Sequence, residues 1–416
     1  MAKPALMPVE EALELLLSQA RTLPAETVPL DAALGRVLAA PVVSGRTTPG
    51  RDVSAMDGYA VRAGDATLGA VLEVAGESAA GRPYAGRLGP GQAVRLFTGA
   101  VVPDGADAVV IQEDTSRDGA RIRINEAATP GRHSRKAGGD FRQGETVLKA
   151  GHRLTARDLA LVAACDLAQV EVSRRPRVGL LSTGDELVRP GMGAQAHQVI
   201  LSNIYAVGGI ARRAGADVSD RGILPDRMEA TREGIRAARD AGLDVLVTSG
   251  GASVGDHDLV APALTAEGAT LAVHKIALRP GKPLMFGGFP AAQGIGTHAF
   301  DSHVLGLPGN PVSAYVCALL FLRPLLRRMQ GEAGVGGLEL VAAELAVDVK
   351  ANDHRMDFMR AEIVGHHAGT ALVRPMPVQD SSMLSLLARA GALLVRRPHA
   401  TAAKAGEPCE ILPLED

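Results

Sequence analysis

Tryptophan is absent from this 416-residue chain, and aromatic side chains make up only 3% of it. Few aromatic faces leave little on which single-stranded bases could stack, which argues against that class of nucleic-acid binder. Charge offers no substitute, because a formal net charge of −2 at pH 7 creates no basic field to draw polyanions. Cysteine is scarce too. Cys165, Cys317 and Cys409 are odd in number and none stands in a Cys-x-x-Cys pair, which disfavours a disulfide framework or a zinc knuckle and fits a reducing compartment. The eleven histidines show no HExxH or paired zinc spacing, and His366-His367 reads as exposed loop. The most apolar stretch, Val316 to Leu322, soon meets Arg323 and Pro324 and is too short to cross a bilayer. The N-terminal MAKPALMPVEEALELLL carries acids where a secretory signal needs an unbroken apolar segment, and it reads as an amphipathic helix with Leu13, Leu16 and Leu17 on one side. A soluble cytoplasmic protein is expected, with neither membrane nor nucleic acid as partner.

What the chain does have is hydrophobic mass, at 46% of residues, punctuated by 48 glycines and 25 prolines that form no repeat. Its length allows about two to four domains. Over 43–142, short apolar pieces (Val71–Val74, Ala93–Phe97, Ala108–Ile111, Arg121–Ile124) are separated by Gly, Pro and Asp, the pattern of a small β-rich domain. Thr155-Ala-Arg-Asp158 is a capping box, with a buried helix expected over 159–168, and 174–177 looks like a linker. Beyond it the rhythm becomes strand–helix–strand. Strands are expected at 178–182, 222–224, 243–248, 271–276 and 304–307, with helices at 203–214, 227–241, 258–267 and 311–329. That alternation predicts a parallel sheet covered on both faces, hence a three-layer α/β/α domain. Short β-like pieces after residue 342 predict a small C-terminal barrel or sandwich.

Ligands of such sheets bind beyond the carboxyl ends of the strands. Three loops fall there: STGDEL (182–187), TSGGASVGD (248–256) and LPGNP (307–311). The glycine loop offers backbone N–H groups to phosphate, yet Asp256 and Asp258 would repel a bare one, so a phosphate that arrives with a metal, or a ribose needing an acceptor, is expected. In STGDEL, Thr183 and Gly184 bend the chain so that a helix is expected to begin with Asp185 and Glu186. HKIALRPGKP (274–283) gathers Lys275, Arg279 and Lys282 around a Pro-Gly turn, a setting for a tetrahedral oxyanion. SAMDGYA (54–60) reads most simply as an Asp57-Gly58 turn, FTGA (97–100) as a strand exit, and GGDFRQGE (138–145) as a solvated loop. Acids on some loops and bases on another suit a ligand with several phosphates plus Mg2+.

Taken together and in order, SAMDGYA, FTGA, GGDFRQGE, STGDEL, TSGGASVGD, LRPGKP and LPGNPVSA resemble the landmarks of the molybdopterin molybdenumtransferases, the MoeA family, to which the E domain of gephyrin is related. The resemblance runs from about residue 8 to the C-terminus and is looser over the last eighty residues. It implies four domains: 1–42 with 143–172 as a linker and dimerisation domain, 43–142 as the β-rich domain, 173–330 as the α/β molybdopterin-binding domain, and 331–416 as the C-terminal β domain. It implies a homodimer with an active cleft shared between subunits. The substrates would be adenylyl-molybdopterin and molybdate, with Mg2+ as cofactor and AMP as a product. Molybdopterin adenylyltransferase and molybdoenzyme maturation proteins are the implied functional partners.

Position by position, the resemblance assigns Asp57, Asp140, Glu186 and Asp226 to catalysis, the first three also to the metal. Thr98, Ser249, Gly250, Gly251, Ser253, Asp258, Lys275, Pro308 and Asn310 fall to the bound pterin nucleotide. Arg279, Lys282, Pro283, Arg355 and Ser381 fall to molybdate. The chain departs from the family pattern in having Arg279 where Lys is common, Leu201 before Ser202-Asn203 where an Asp is usual, and Ser382 in place of a Gly. A different reading of the same motifs is a non-catalytic cofactor carrier or scaffold. Another is the related molybdopterin adenylyltransferase, which lacks the SAMDGYA and C-terminal β domains.

Overall fold

The computed structural model describes residues 6–250, 259–273, 275–290 and 300–414. The chain divides into two compact units, one of Met1–Glu26, Gly35–Ala39 and Val172–Asp416, the other of Thr27–Leu34 and Ala40–Glu171.

The smaller unit is built on a six-stranded sheet: β1 (Gly58–Val61), β2 (Val71–Ser78), β3 (Gln92–Leu96), β4 (Ala108–Ile111), β5 (Thr115–Asp118) and β6 (Arg121–Ile124), in the order β4-β1-β3-β2-β6-β5. One core cluster gathers Tyr59, Val61, Leu72, Ala93, Val110, Ile122 and Ile124. Each such large apolar side chain contributes about 1.5–3 kcal/mol when fully buried. The Thr155–Asp158 box forms as expected: the Asp158 carboxylate accepts the Thr155 N–H at 2.7 Å, and the helix runs Ala156–Ala164. That helix is not the buried one the apolar run predicts, since Val162 is its only buried residue.

The larger unit holds the alternating region. Its elements are β7 (Arg177–Thr183), α1 (Asn203–Arg213), β8 (Asp217–Leu224), α2 (Met228–Asp240), β9 (Val245–Ser249), α3 (Val260–Ala266), β10 (Thr270–Val273), β11 (Met285–Pro290), β12 (Phe300–Leu307) and α4 (Pro311–Cys317). The strand order is β8-β7-β9-β12-β11-β10. The first four strands are parallel, whereas β11 and β10 are antiparallel to their neighbours, so the sheet is mixed and not parallel throughout. Strand side chains alternate between two cores. Val178, Leu180, Val245, Val247, Leu305 and Leu307 pack with Val207, Ile210 and Val316 on one face. Leu181, Leu246 and Val304 pack with Ile235, Val260 and Leu264 on the other. This is the three-layer α/β/α arrangement. The helix that starts at Pro311 continues to Met329 through a wider π turn at Ala318–Leu322. Pro324, which has no N–H and pushes away the carbonyl four residues back, accounts for the widening.

The C-terminal strands β13 (Val341–Leu345), β14 (Met356–His367), β15 (Thr370–Pro375), β16 (Ala392–Arg396) and β17 (Pro408–Pro413) follow the order β14-β15-β13-β17-β16, and β16 pairs again with β14. They form a closed five-stranded barrel with Ala343, Leu345, Val373, Leu394 and Ile411 in its core. The short strand Leu278–Arg279 runs parallel to the start of β14, which sets Arg279 opposite Asp357.

Candidate functional site

Three loops meet at the carboxyl ends of β7, β9 and β12. After Thr183 the chain does not enter a helix at Asp185. Gly184 has φ +146°, the Leu187 N–H returns to the Gly184 carbonyl at 3.2 Å, and Leu187–Val188 then pairs with Val199–Ile200. Pro190 disfavours helical geometry in the residue before it, and the helix waits until Asn203. After Ser249, Gly250 has φ +92°, and a Cβ there would lie 2.7 Å from the Thr183 carbonyl oxygen, so only glycine allows these two strand ends to approach. Asn203 ties the third loop in: its Nδ2 donates to Ser249 Oγ and to the Gly309 carbonyl, each at 2.8 Å.

The result is a cleft of about 680 Å3, lined among others by Thr183, Glu186, Ser202, Asn203, Ser249, Gly250, Pro283, Pro308, Asn310 and Ser382. The N-termini of α1 and α4 begin at its wall, where the helix dipoles favour phosphate; at α4 Pro311 has no N–H and the Val312 N–H is taken by the Ser381 carbonyl. Of the residues expected to bind the pterin nucleotide, Ser249, Gly250, Pro308 and Asn310 line this cleft, and Glu186 joins them. Asp226 is exposed, with its N–H donating to Asp185 Oδ1 at 3.3 Å. Lys275 is engaged through its backbone, its carbonyl accepting the Met7 N–H at 3.2 Å. Gly251, Ser253 and Asp258 lie outside the described residues. Asn203 and Ser202 carry no binding role in the sequence reading. The available signal was a pair of small polar residues immediately before an amphipathic helix, at the same sheet edge as the other loops.

The 279–283 turn forms a second, ionic corner. Arg279 Nη1 donates to Asp357 at 3.2 Å, and its Nη2 donates to Asp353. Arg355 reaches the same Asp353 carboxylate through Nη2 at 3.1 Å and through its backbone N–H at 2.9 Å. These donors hold the Asp353 carboxyl down at about 2, its hydrogen bond from the Arg355 backbone first among them. Asp357 goes the other way, pushed up by burial. Arg279 and Arg355, both expected at molybdate, are thus brought together through Asp353. Lys282 is exposed at the turn. Gly281, with φ +117°, packs so closely on the helix behind it that a Cβ would meet Cys317 Sγ at 2.5 Å. Ser381 is clipped to the start of α4, its Oγ accepting from Asn310 Nδ2 at 2.9 Å and its carbonyl from the Val312 N–H at 3.0 Å. The fully buried Arg360 on β14 holds that segment from below, donating to the carbonyls of Val378 and Met383.

In the smaller unit, Asp57-Gly58 is a strand entrance and not a turn. Gly58 opens β1 between β3 and β4, and a Cβ there would collide with the Val110 carbonyl. Asp57 Oδ1 accepts both the N–H and the Oγ of Thr98, at 2.7 and 2.8 Å, and these bonds together with the Arg95 charge hold its carboxyl below the usual range. Arg95 lies over the Tyr59 and Phe97 rings and donates to the Gly58 carbonyl at 3.2 Å. Asp140 is exposed on a loop hung from Thr48 by a 3.1 Å backbone bond. Asp57, Asp140 and Glu186 are hard oxygen donors of the kind Mg2+ takes. Among the described residues, no group of three His, Cys, Asp or Glu is gathered as a metal site within the chain. No described helix is long and apolar enough to cross a membrane.

A mixed α/β sheet with a cleft at its strand ends, joined to a closed β-barrel and accompanied by a β-rich unit, defines a multi-domain protein of the α/β class. The comparisons with known proteins narrow this. Three family descriptions match: the MoeA N-terminal region (domain I and II) over 7–165, a probable molybdopterin binding domain over 179–328, and the MoeA C-terminal region (domain IV) over 342–414. The chain is 34% identical over 409 residues to the molybdopterin molybdenumtransferase of Haemophilus influenzae, covering 96% of this chain and 98% of that one. It is 38% identical to molybdopterin molybdenumtransferase 2 of Mycobacterium tuberculosis, covering 88% and 90%. Among solved structures, a molybdopterin biosynthesis MoeA protein from Pyrococcus horikoshii superposes with a TM-score of 0.82 at 28% identity, covering 99% of this chain and 100% of that one. The chain belongs to the molybdopterin molybdenumtransferase (MoeA) family.

Proposed function

We propose that this chain inserts molybdenum from molybdate into adenylylated molybdopterin, releasing AMP and leaving molybdenum on the pterin. The observation that carries the reading is the cleft in which Asn203 fastens the β9 and β12 loops together while Pro283, at the end of the turn that carries Arg279 and Lys282, and Ser382 line the same space. The positive end of α1 and the hydroxyls of Ser202 and Ser249 receive the phosphates. Arg279, Lys282 and Arg355, with Pro283 and Ser381, hold the molybdate dianion, for which guanidinium forks and an ammonium are suitable donors. Glu186 and Asp226 face the nucleotide, with Thr98 setting the Asp57 carboxylate. Asp57, Asp140 and Glu186 are the residues that would hold Mg2+, and that ion would neutralise charge developing as the phosphoanhydride breaks. The working form proposed is a cytoplasmic homodimer, fed by molybdopterin adenylyltransferase and delivering to molybdoenzyme maturation proteins.

The test is AMP release from adenylyl-molybdopterin with Mg2+, with and without molybdate. Molybdate-dependent AMP together with pterin-bound molybdenum is the expected result. Tight binding without AMP under either condition would move the chain to the carrier class. A neutral substitution at Lys282 should raise the molybdate requirement before nucleotide affinity falls, and the reverse order would remove Lys282 from the anion site.

A further inference from the structure

The ionic corner contains its own anion. Arg279 and Arg355 both point donors at one carboxylate, that of Asp353, while Asp357 takes the other Nη of Arg279. Two guanidiniums thus face two carboxylates, and the charges of these four groups cancel before any ligand arrives. The two acids are not equivalent. Asp357 lies within β14, in register with Arg279, and its side chain is only 13% exposed. Asp353 lies in the segment just before β14 with a side chain 38% exposed. Its backbone is anchored independently of its carboxylate: the N–H donates to Asn352 Oδ1 at 2.9 Å, and the carbonyl accepts the His399 N–H at 2.7 Å. Asn352 Nδ2 is itself held by the carbonyls of Arg355 and Arg396. The Asp353 carboxylate can therefore rotate out of the guanidinium pair with the loop left in place.

We propose that Asp353 is a resident carboxylate that occupies the oxyanion position between Arg279 and Arg355 and sets the affinity of the corner for a tetrahedral dianion, which must displace it. This rests on the assignment of that corner to molybdate. A carboxylate offers these donors two oxygens and one negative charge, whereas molybdate offers four oxygens and two charges. A dianion can displace the side chain, while a monoanion gains little by doing so. Lys282, exposed on the adjoining turn with no ion pair among the described residues, stands ready as a third cation for the second charge.

The experiment is calorimetric titration of the full-length protein with sodium molybdate alone, and separately with AMP. The wild type is compared with Asp353→Asn and Asp353→Ser. Both variants remove the charge, and Asn keeps an acceptor for the Arg355 N–H. Each variant should bind molybdate about tenfold more tightly, the size expected for deleting one close charge at a half-exposed site. Sodium chloride should now compete in the variants where it does not in the wild type, a change that a merely structural role of Asp353 would not produce. AMP affinity should be unchanged, which also reports that the variants are folded. Unchanged or weaker molybdate binding in both variants, with wild-type molybdate binding intact, would overturn the inference alone. Absence of molybdate binding in all three proteins, with AMP still bound, would overturn the inference and the molybdate assignment together. Binding gained only in the variants would support the inference in its strongest form.

Discussion

At the ends of β7, β9 and β12 the chain presents mainly neutral groups, hydroxyls, a buried amide and glycine backbone, together with the Glu186 carboxylate. At the 279–283 turn and the start of β14 it presents ions, two guanidiniums closed by two carboxylates. Both regions are suited to anions, and they reach that end by different physics. The neutral cleft depends on position, because its hydroxyls and helix dipoles have directions fixed by strand ends and helix starts. The ionic corner depends on charge balance, because the Nη donors of its two guanidiniums already engage carboxylates and a ligand has to compete for them. Geometry should therefore dominate the response of the first region to mutation, and electrostatics that of the second.

Each region rests on one glycine, and the largest effects are expected there. Gly281→Ala forces a side chain into φ +117° and against Cys317 Sγ. Backbone strain and overpacking together should cost on the order of 2–4 kcal/mol, read as a lowered urea midpoint. Gly250→Ala meets the Thr183 carbonyl oxygen at 2.7 Å and should cost somewhat less stability while sharply weakening AMP binding. If Gly250→Ala instead weakened molybdate and spared AMP, the division between the two regions would fail.

Next in size is Asn203→Ala. It removes both bonds that hold the β9 and β12 loops together at a residue only 8% exposed. A loss of about 1–3 kcal/mol is expected from the unpaired groups left behind, with AMP affinity falling and molybdate affinity nearly unchanged. Thermal unfolding and the two titrations check this, and equal loss of both ligands would mean the two regions act as one.

The same contrast explains how far the sequence could be read. The neutral cleft was legible because its loops follow apolar strands, and Val178–Ser182 and Val245–Thr248 announce themselves by burial on both faces. The strand β11 was not, because its Gly287 and Gly288 look like turn residues. In the structure they are strand residues chosen for close approach: a Cβ on Gly287 would collide with the Thr270 carbonyl. Missing β11 also hid the two antiparallel pairings of the sheet. Asp57-Gly58 misled in the same way, since a glycine needed for crowding and a glycine needed for bending have one letter. The helix expected at Asp185 failed because Gly184 and Pro190 redirect the chain, a conflict with the acidic first-turn signal that STGDEL alone does not display. In the ionic corner the cations were legible and the acids were not. Asp353 and Asp357 became visible as partners only once Leu278–Arg279 was seen to pair with the start of β14.

The smallest effect, and the one that separates the regions most cleanly, is on pH. The Asp353 carboxyl titrates at about 2 in the folded chain, below the value near 3.9 of an unfolded aspartate. A depressed folded-state value means that its stabilisation is fully present above about pH 4 and is lost as pH falls toward 2. Burial pushes Asp357 the opposite way and offsets part of this, and solvent at the half-exposed Asp353 screens it further. Asp353→Asn should thus be slightly less stable than wild type at pH 6, with a deficit that shrinks by pH 3. The deficit of Asn203→Ala should stay level over the same range, because the Asn203, Ser249 and Gly309 groups it unpairs do not titrate there. Melting temperatures of the three proteins at pH 6 and pH 3 decide the matter. A pH-independent Asp353→Asn deficit would mean that this carboxylate holds the loop by shape alone, and the electrostatic account of the corner would have to be given up.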